Sequence, residues 1–258
     1  MKAERKEGAA AQPGSRSASV RSRLIDVAER LFAEHGVDTV SLNQIARAAN
    51  QRNSMVIQYH FGSKTALLQA IAERRMQAVN ERRLQLLGRV DGSSRLTDLR
   101  RLAEAMVLPF AEHLSHEGGS YFVRLSAQLY SDPRLEFFQL IKGRHDSGMR
   151  EAGRVSREIL SELPRDAVKH RLALITSLIF SAFADREKLR AAGKHVGVAR
   201  LHTAHFVNDL ITMIVGALNA PYGERTLTDN DVSSVAVNEA GMPVTGVDTL
   251  GISEGSDA

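Results

Sequence analysis

The sequence lacks cysteine and tryptophan altogether, and has only six prolines in 258 residues. Without thiols it can form no disulfide, cysteine nucleophile, iron–sulfur cluster or cysteine-ligated zinc site. Between Pro13 and Pro221 only Pro109, Pro133 and Pro164 interrupt the chain. The stretches between them are rich in Leu, Ala, Arg, Glu and Gln, so the middle of the protein is expected to be nearly all helix. Long apolar runs are also missing. The longest, around Leu172–Ala184, is broken by Thr176, Ser177 and Ser181 and falls short of the ~18–20 residues of a membrane span. The first thirty residues are polar and have no secretory apolar segment. A cytoplasmic, nucleoid-associated protein with no membrane partner is the expectation. The 43% hydrophobic content supports a real core.

The net charge of +4 is a sum of unlike parts. Residues 223–258 carry Arg225 alone against seven acidic residues, and their Gly, Ser, Thr and Asp content reads as a disordered acidic tail. The remaining body is therefore clearly basic. Residues 1–19 read as a flexible basic arm with Lys2, Arg5, Lys6 and Arg16.

The strongest local signals lie between the arm and residue 70. Leu24, Ile25, Ala28, Leu31 and Phe32 recur with helical spacing, and Gly36 suits a left-handed helix end. Ser41-Leu42-Asn43-Gln44 is a capping box, flanked by Val40 and Ile45 as a hydrophobic staple. A third short helix runs to Tyr59, Phe61-Gly62 ends it, and Ser63 caps a longer fourth helix to Leu87. Two short helices with a tight junction describe a helix-turn-helix. Arg52, Asn53 and Ser54 near the start of the second one have side chains able to pair with base edges. The capped starts at Ser41 and Ser63 favour phosphates, and Lys64 adds a point charge.

The segments Leu24–Gly36, Thr39–Ala49 and Gln58–Lys64, followed by Leu67-Leu68, resemble the DNA-binding domain of TetR-type bacterial transcription regulators. The resemblance covers about residues 20–70. It implies an all-α fold: a three-helix head (20–68) joined to a C-terminal helical effector-binding and dimerisation bundle (69–222). It also implies a homodimer on a double-stranded DNA operator, released by a small organic effector. Carried over by position, Thr39, Ser41, Gln58, Tyr59, His60 and Lys64 are phosphate contacts. The chain departs from the family in reading Asn50-Gln51-Arg52-Asn53 where Gly-Val-Ser is usual. It has Gln58 where Tyr is usual, and one extra residue between Ala49 and Phe61.

Residues 76–222 divide into helical stretches near 76–89, 95–116, 118–131, 133–162, 165–190 and 197–219. The last two are the most apolar. Their stripes, with Ile175, Leu178, Ile179 and Phe183 on one and Leu210, Ile211, Ile214 and Leu218 on the other, are broader than a lone surface helix buries. They are expected to form a four-helix interface with a second copy. Met106, Leu108, Phe110, Tyr121, Phe122, Leu125, Leu129, Tyr130, Phe137, Phe138 and Met149 concentrate apolar and aromatic bulk between head and interface, which suits a lipophilic effector. Pro109 is placed to bend a helix around that pocket.

Other functions find less support. Gly251-Ile252-Ser253-Glu254-Gly255 matches a nucleophile pattern, but it lies in the acidic tail with no strand-to-helix elbow. His113-x-x-His116 and His202-x-x-His205 pair imidazoles without the further ligands a metal needs. No catalytic residue, cofactor or metal is expected. A helical interaction module without DNA binding accounts for the bundle but leaves the capped head unexplained. A TetR-like activator remains open beside a repressor.

Overall fold

The computed structural model describes residues 13–114, 120–132, 134–135, 137–194 and 196–223; within these, the side chains of 13–16, 137, 138 and 199 are left undescribed. Residues 1–12 of the expected basic arm and 224–258 of the expected acidic tail therefore lie outside the described part. Among the described residues there are ten α-helices and no strand.

Helix α1 spans Pro13–His35. Proline suits the first helical position, where its missing N–H is no loss, so the helix takes in residues 13–19, expected as part of a flexible arm. One face of α1 buries Leu24, Ile25, Ala28 and Phe32. Gly36, at φ +88°, then turns the chain in the left-handed region. Helix α2 (Leu42–Ala48) starts on the reciprocal box read from the sequence: Ser41 Oγ accepts from the Gln44 amide at 3.2 Å, and Gln44 Oε1 accepts from the Ser41 amide at 2.7 Å. Val40 and Ile45 are both buried as the staple requires. Asn50 takes φ +58°, and the Gln51 amide reaches back to Ala46 O at 2.8 Å. Asparagine thus fills the left-handed helix end that glycine commonly occupies. Helix α3 (Met55–Phe61) follows, and Ser63 caps α4 (Lys64–Leu87) by accepting from the Ala66 amide.

The body comprises α5 (Arg95–Ala111), α6 (Tyr121–Ser131), α7 (Phe137–Ile141), α8 (Ser147–Ile159), α9 (Arg165–Ala191) and α10 (Thr203–Asn219). The stretch expected as one helix over 133–162 is two, α7 and α8, because Gly143 enters the left-handed region at φ +73°. The stretch expected over 95–116 ends at Ala111, and that over 118–131 starts at Tyr121. The last helix starts at Thr203 after a 3-10 turn, Gly197–Ala199, rather than at 197.

Helix α4 is the spine. It packs on α1 and α3 at one end and on α5, α7 and α8 at the other. Helix α6 packs on both α1 and α9, and α10 covers α5. The core is continuous from Leu24 to Leu218, so no break in packing separates head from bundle, and the compact unit closes at Ala220. Helix α9 is long and apolar enough to cross a membrane by length and composition, but its buried face packs on α6, α8 and α10.

Candidate nucleic-acid interface and effector cavity

Helix α3 is seven residues long and anchors through Ile57, which is fully buried. Helical spacing then sends Met55, Gln58 and Tyr59 outward together. Met55 is 67% exposed and Tyr59 83%, far more than apolar packing would leave. The turn before the helix is held by Asn53, whose Oδ1 accepts from the Met55 amide at 3.0 Å. Its amide group and the exposed Arg52 are left facing solvent, and Ser54 is half-buried. Thr39, Ser41 and Gln58 are exposed beside this surface, while His60 and Lys64 are half-buried. The His60 ring sits between Tyr59 and Phe61, at 5.1 and 6.1 Å. Lys64 Nζ lies 5.6 Å from the Phe32 ring, and Arg21 lies 5.0 Å from Phe61. The apolar centre of the head thus carries cations on its rim.

Two joints fix this head to the body. On α4, Arg75 donates two parallel hydrogen bonds of 2.9 Å to the buried Glu29 carboxylate of α1. On α6, Arg124 and Gln128 both donate to Ala33 O near the end of α1, at 3.2 and 3.0 Å. Arg134 adds an ion pair to Asp38 at 2.8 Å. Helix α1 is therefore bonded by side chains of both α4 and α6.

Further along α4 a narrow cavity opens between α4, α5, α7, α8 and α9. It is lined by Met76, Arg83, Met106, Phe110, Ile141, Met149, Thr176, Ile179 and Phe180. Its volume of about 20 Å³ is room for about one water molecule. Phe110 packs edge-on to Phe180 at 5.1 Å and parallel to Phe122 at 6.0 Å. Pro109 has no N–H to reach Ala105 O one turn back. Arg83 Nε takes that freed carbonyl at 3.2 Å, with its guanidinium 5.6 Å from the Phe110 ring.

The family model described as "Bacterial regulatory proteins, tetR family" matches residues 24–71, and "Tetracyclin repressor-like, C-terminal domain" matches 104–217. The chain belongs to the TetR family. No curated protein matches it. Among solved structures, the fatty acid degradation regulator FadR from Bacillus halodurans superposes with a TM-score of 0.52 at 14% identity, covering 84% of this chain and all of that one. An alanine-substituted HlyIIR protein gives 0.53 at 16% identity, over 79% and 97% of the two chains. These likenesses carry the fold. TetR membership makes the protein a ligand-responsive transcription regulator with a helix-turn-helix head, and regulators of this family are in general soluble, cytoplasmic and non-enzymatic.

The cavity of this TetR chain takes Met106, Phe110 and Met149 from the residues expected on sequence grounds. Phe122, Leu125 and Leu129 are buried and Tyr121 half-buried on α6, where they serve the packing of α6 in the core. The side chains of Phe137 and Phe138 lie outside the described part. Sequence reasoning left out Met76 and Arg83 on α4, Ile141 on α7 and Thr176 and Phe180 on α9. It placed Ile179 elsewhere.

The expected interface stripe needs correction. Ile175, Ile179, Phe183, Leu210, Ile211, Ile214 and Leu218 are all buried inside the single chain, with Leu178 half-buried. They are core because α5, α6 and α8 already cover them. The outward faces of the two helices are Ala173, Leu174, Ser177 and Ser181 on α9, and Asp209, Met213, Gly216 and Ala217 on α10. Leu174 is 71% and Met213 61% exposed.

Proposed function

We propose that the protein is a homodimeric repressor that binds a pseudo-palindromic operator and leaves it when a lipophilic effector enters the cavity. The observation carrying the DNA side is the outward set on α3. Met55, Gln58 and Tyr59 project from one face, beside Arg52 and Asn53 in the preceding turn. A recognition helix reads the major groove with its N-terminal residues. Arg52, Asn53 and Ser54 are therefore joined as base readers by Met55, Gln58 and Tyr59, the last two also lying within reach of phosphates. Thr39, Ser41, His60 and Lys64 are assigned to the backbone, which sets position rather than sequence.

Dimerisation is supported by α9 and α10. Only 33% of the most apolar window of α9 is buried in the single chain. Its outward face combines small side chains with Leu174, and α10 offers Gly216, Ala217 and Met213 alongside. Small residues let helices of two copies approach closely, and an isologous contact of this sort closes as a two-fold dimer.

Selection of bound DNA from a random pool by the full chain tests the reading. The expected result is an inverted repeat whose half-sites are centred about one helical turn or more apart, bound by two chains. No enrichment, or a single asymmetric half-site bound by one chain, refutes it. A reporter with the selected site over its promoter is then expected to be silenced by the protein; activation refutes the repressor assignment.

A further inference from the structure

The cavity is apolar except at one point. Arg83 is 1% exposed, and its Nη1 is buried with no hydrogen-bond partner. Burial pushes the guanidinium down to about 10, which leaves it charged at neutral pH. Among the described residues no carboxylate pairs with it. The other polar groups nearby are already committed. Asn80 accepts from the Gly148 amide at 2.7 Å and donates to Ser147 Oγ, and Thr176 Oγ1 donates to Leu172 O. An isolated cation in an apolar site is strongly unfavourable unless something neutralises it. The chain places this one where Pro109 frees a carbonyl to hold Nε, which leaves Nη1 without an acceptor among the described residues.

We infer that the cavity takes an amphiphile with a single carboxylate head, seated on Arg83, and an apolar tail among Met76, Met106, Phe110, Met149 and Phe180. This rests on the cavity being the effector site proposed above. One guanidinium with one orphaned donor matches a monoanion; a phosphate dianion asks for more cations than are present. A planar carboxylate also fits the guanidinium fork. The positive end of α8, whose first turn supplies Met149 and packs Gly148 against the Arg83 stem, favours the same charge. Three of the chain's seven methionines line the space. Their unbranched side chains re-pack readily, which a tail entering so narrow a cavity demands.

Calorimetric titration of the full chain with decanoate and with 1-decanol, near neutral pH and below their solubility limits, tests this. Wild type is expected to prefer the acid about ten- to a hundredfold, the range of one charge-assisted contact. Arg83→Met keeps the bulk, removes the charge and is expected to erase that preference while still binding the alcohol. Arg83→Lys is expected to keep part of it. Thermal melting shows whether each variant folds; should Arg83→Met not, the wild-type ratio and Arg83→Lys still decide. Equal affinity for acid and alcohol, no measurable binding of the acid, or a preference that survives Arg83→Met overturns the inference. Operator binding without carboxylate preference refutes this inference alone. Absence of DNA selection refutes the regulator reading and leaves the titration standing.

Discussion

Replacing Arg75 with alanine is expected to destabilise the protein more than replacing Glu29, although both changes remove the same ion pair at the α1–α4 joint. The difference lies in what each leaves behind. The Glu29 side chain is 4% exposed and that of Arg75 35%. After Glu29→Ala, Arg75 can turn into water while Arg74 keeps its partner Asp26 at 2.5 Å, so the loss is two charge-assisted bonds from a partly solvated cation, about 1–2 kcal/mol. After Arg75→Ala, the Glu29 carboxylate stays buried with only Arg74 Nη2 at 3.7 Å. A buried charge stripped of its partner costs about 3–5 kcal/mol, and the remaining cation reduces this to about 2–4 kcal/mol. Urea unfolding resolves the two. With a slope of about 1–3 kcal/mol per molar, the midpoints of the two variants are expected to differ by roughly 0.5–1 M at unchanged slope. Double substitution to alanine is expected to cost less than the sum of the two, because the orphaned carboxylate is then absent. Equal midpoints, or Glu29→Ala below Arg75→Ala, would show that the joint does not depend on this buried carboxylate.

Asn50, at φ +58°, is expected to accept glycine with no loss or a gain of up to about 1 kcal/mol, whereas Asn50→Val loses about 1–2 kcal/mol, read as opposite shifts in melting temperature. In DNA-binding titrations across a salt series, Lys64→Ala is expected to lower the slope of log affinity against log salt by about 0.9. Tyr59→Ala leaves the slope unchanged and flattens sequence preference instead; an unchanged slope for Lys64→Ala removes that residue from the phosphate contacts. Burial pushes the Glu187 carboxyl up from its ordinary 4.5, so its charge opposes folding at neutral pH and ceases to do so once both states are protonated. Glu187→Gln, which still accepts from the Ser120 amide in place of Glu187 Oε2, is therefore expected to melt higher at neutral pH, with the gain fading below about pH 4. A gain that persists in acid contradicts the desolvation cause.

What was legible in the sequence was local. The S-x-x-Q box at Ser41, the helix end at Gly36 and the cap at Ser63 depend on residues three or four apart, and each has the bonding its pattern demands. The departure at Asn50 has a local reason too, since asparagine is the side chain that best tolerates the backbone usual for glycine. The faces of α9 and α10 were harder. Periodicity says that Ile175, Ile179, Leu210 and Ile214 are buried, but not whether their own chain or a second copy buries them. Here α5, α6 and α8 do. The cavity needed five helices to meet, which no single stretch encodes. One signal was nonetheless present: Arg83 falls on the buried stripe of α4 with Met76, Val79, Asn80, Leu86 and Leu87. A cation at a core position of an amphipathic helix requires either a buried partner or a ligand.

Helix α4 brings these features into one device. Lys64, assigned above to the DNA backbone, stands at its start, Arg75 grips α1, and Met76 and Arg83 line the cavity. From Lys64 to Arg83 is roughly 28 Å of continuous helix at ~1.5 Å per residue, so on the proposed function a small displacement at the cavity is carried to the head as a lever. The α6 bonds to Ala33 supply the fulcrum. Energetics constrain how it works. Shifting the dimer from almost wholly operator-competent to almost wholly released needs about 5.5 kcal/mol of differential binding. One charge-assisted contact supplies about 1.5–3 kcal/mol, so both cavities of the proposed dimer reach that figure only at the upper limit and only if the contact is wholly absent from the operator-bound state. Over the rest of that range the tail has to discriminate between the two states as well. A cavity with room for one water cannot hold such a tail without widening, which takes re-packing of its methionines together with movement of the helices that line it. On the proposed function, binding of the tail displaces α4, and response is expected to rise with tail length at constant head group. A response set by the carboxylate alone would place the lever elsewhere.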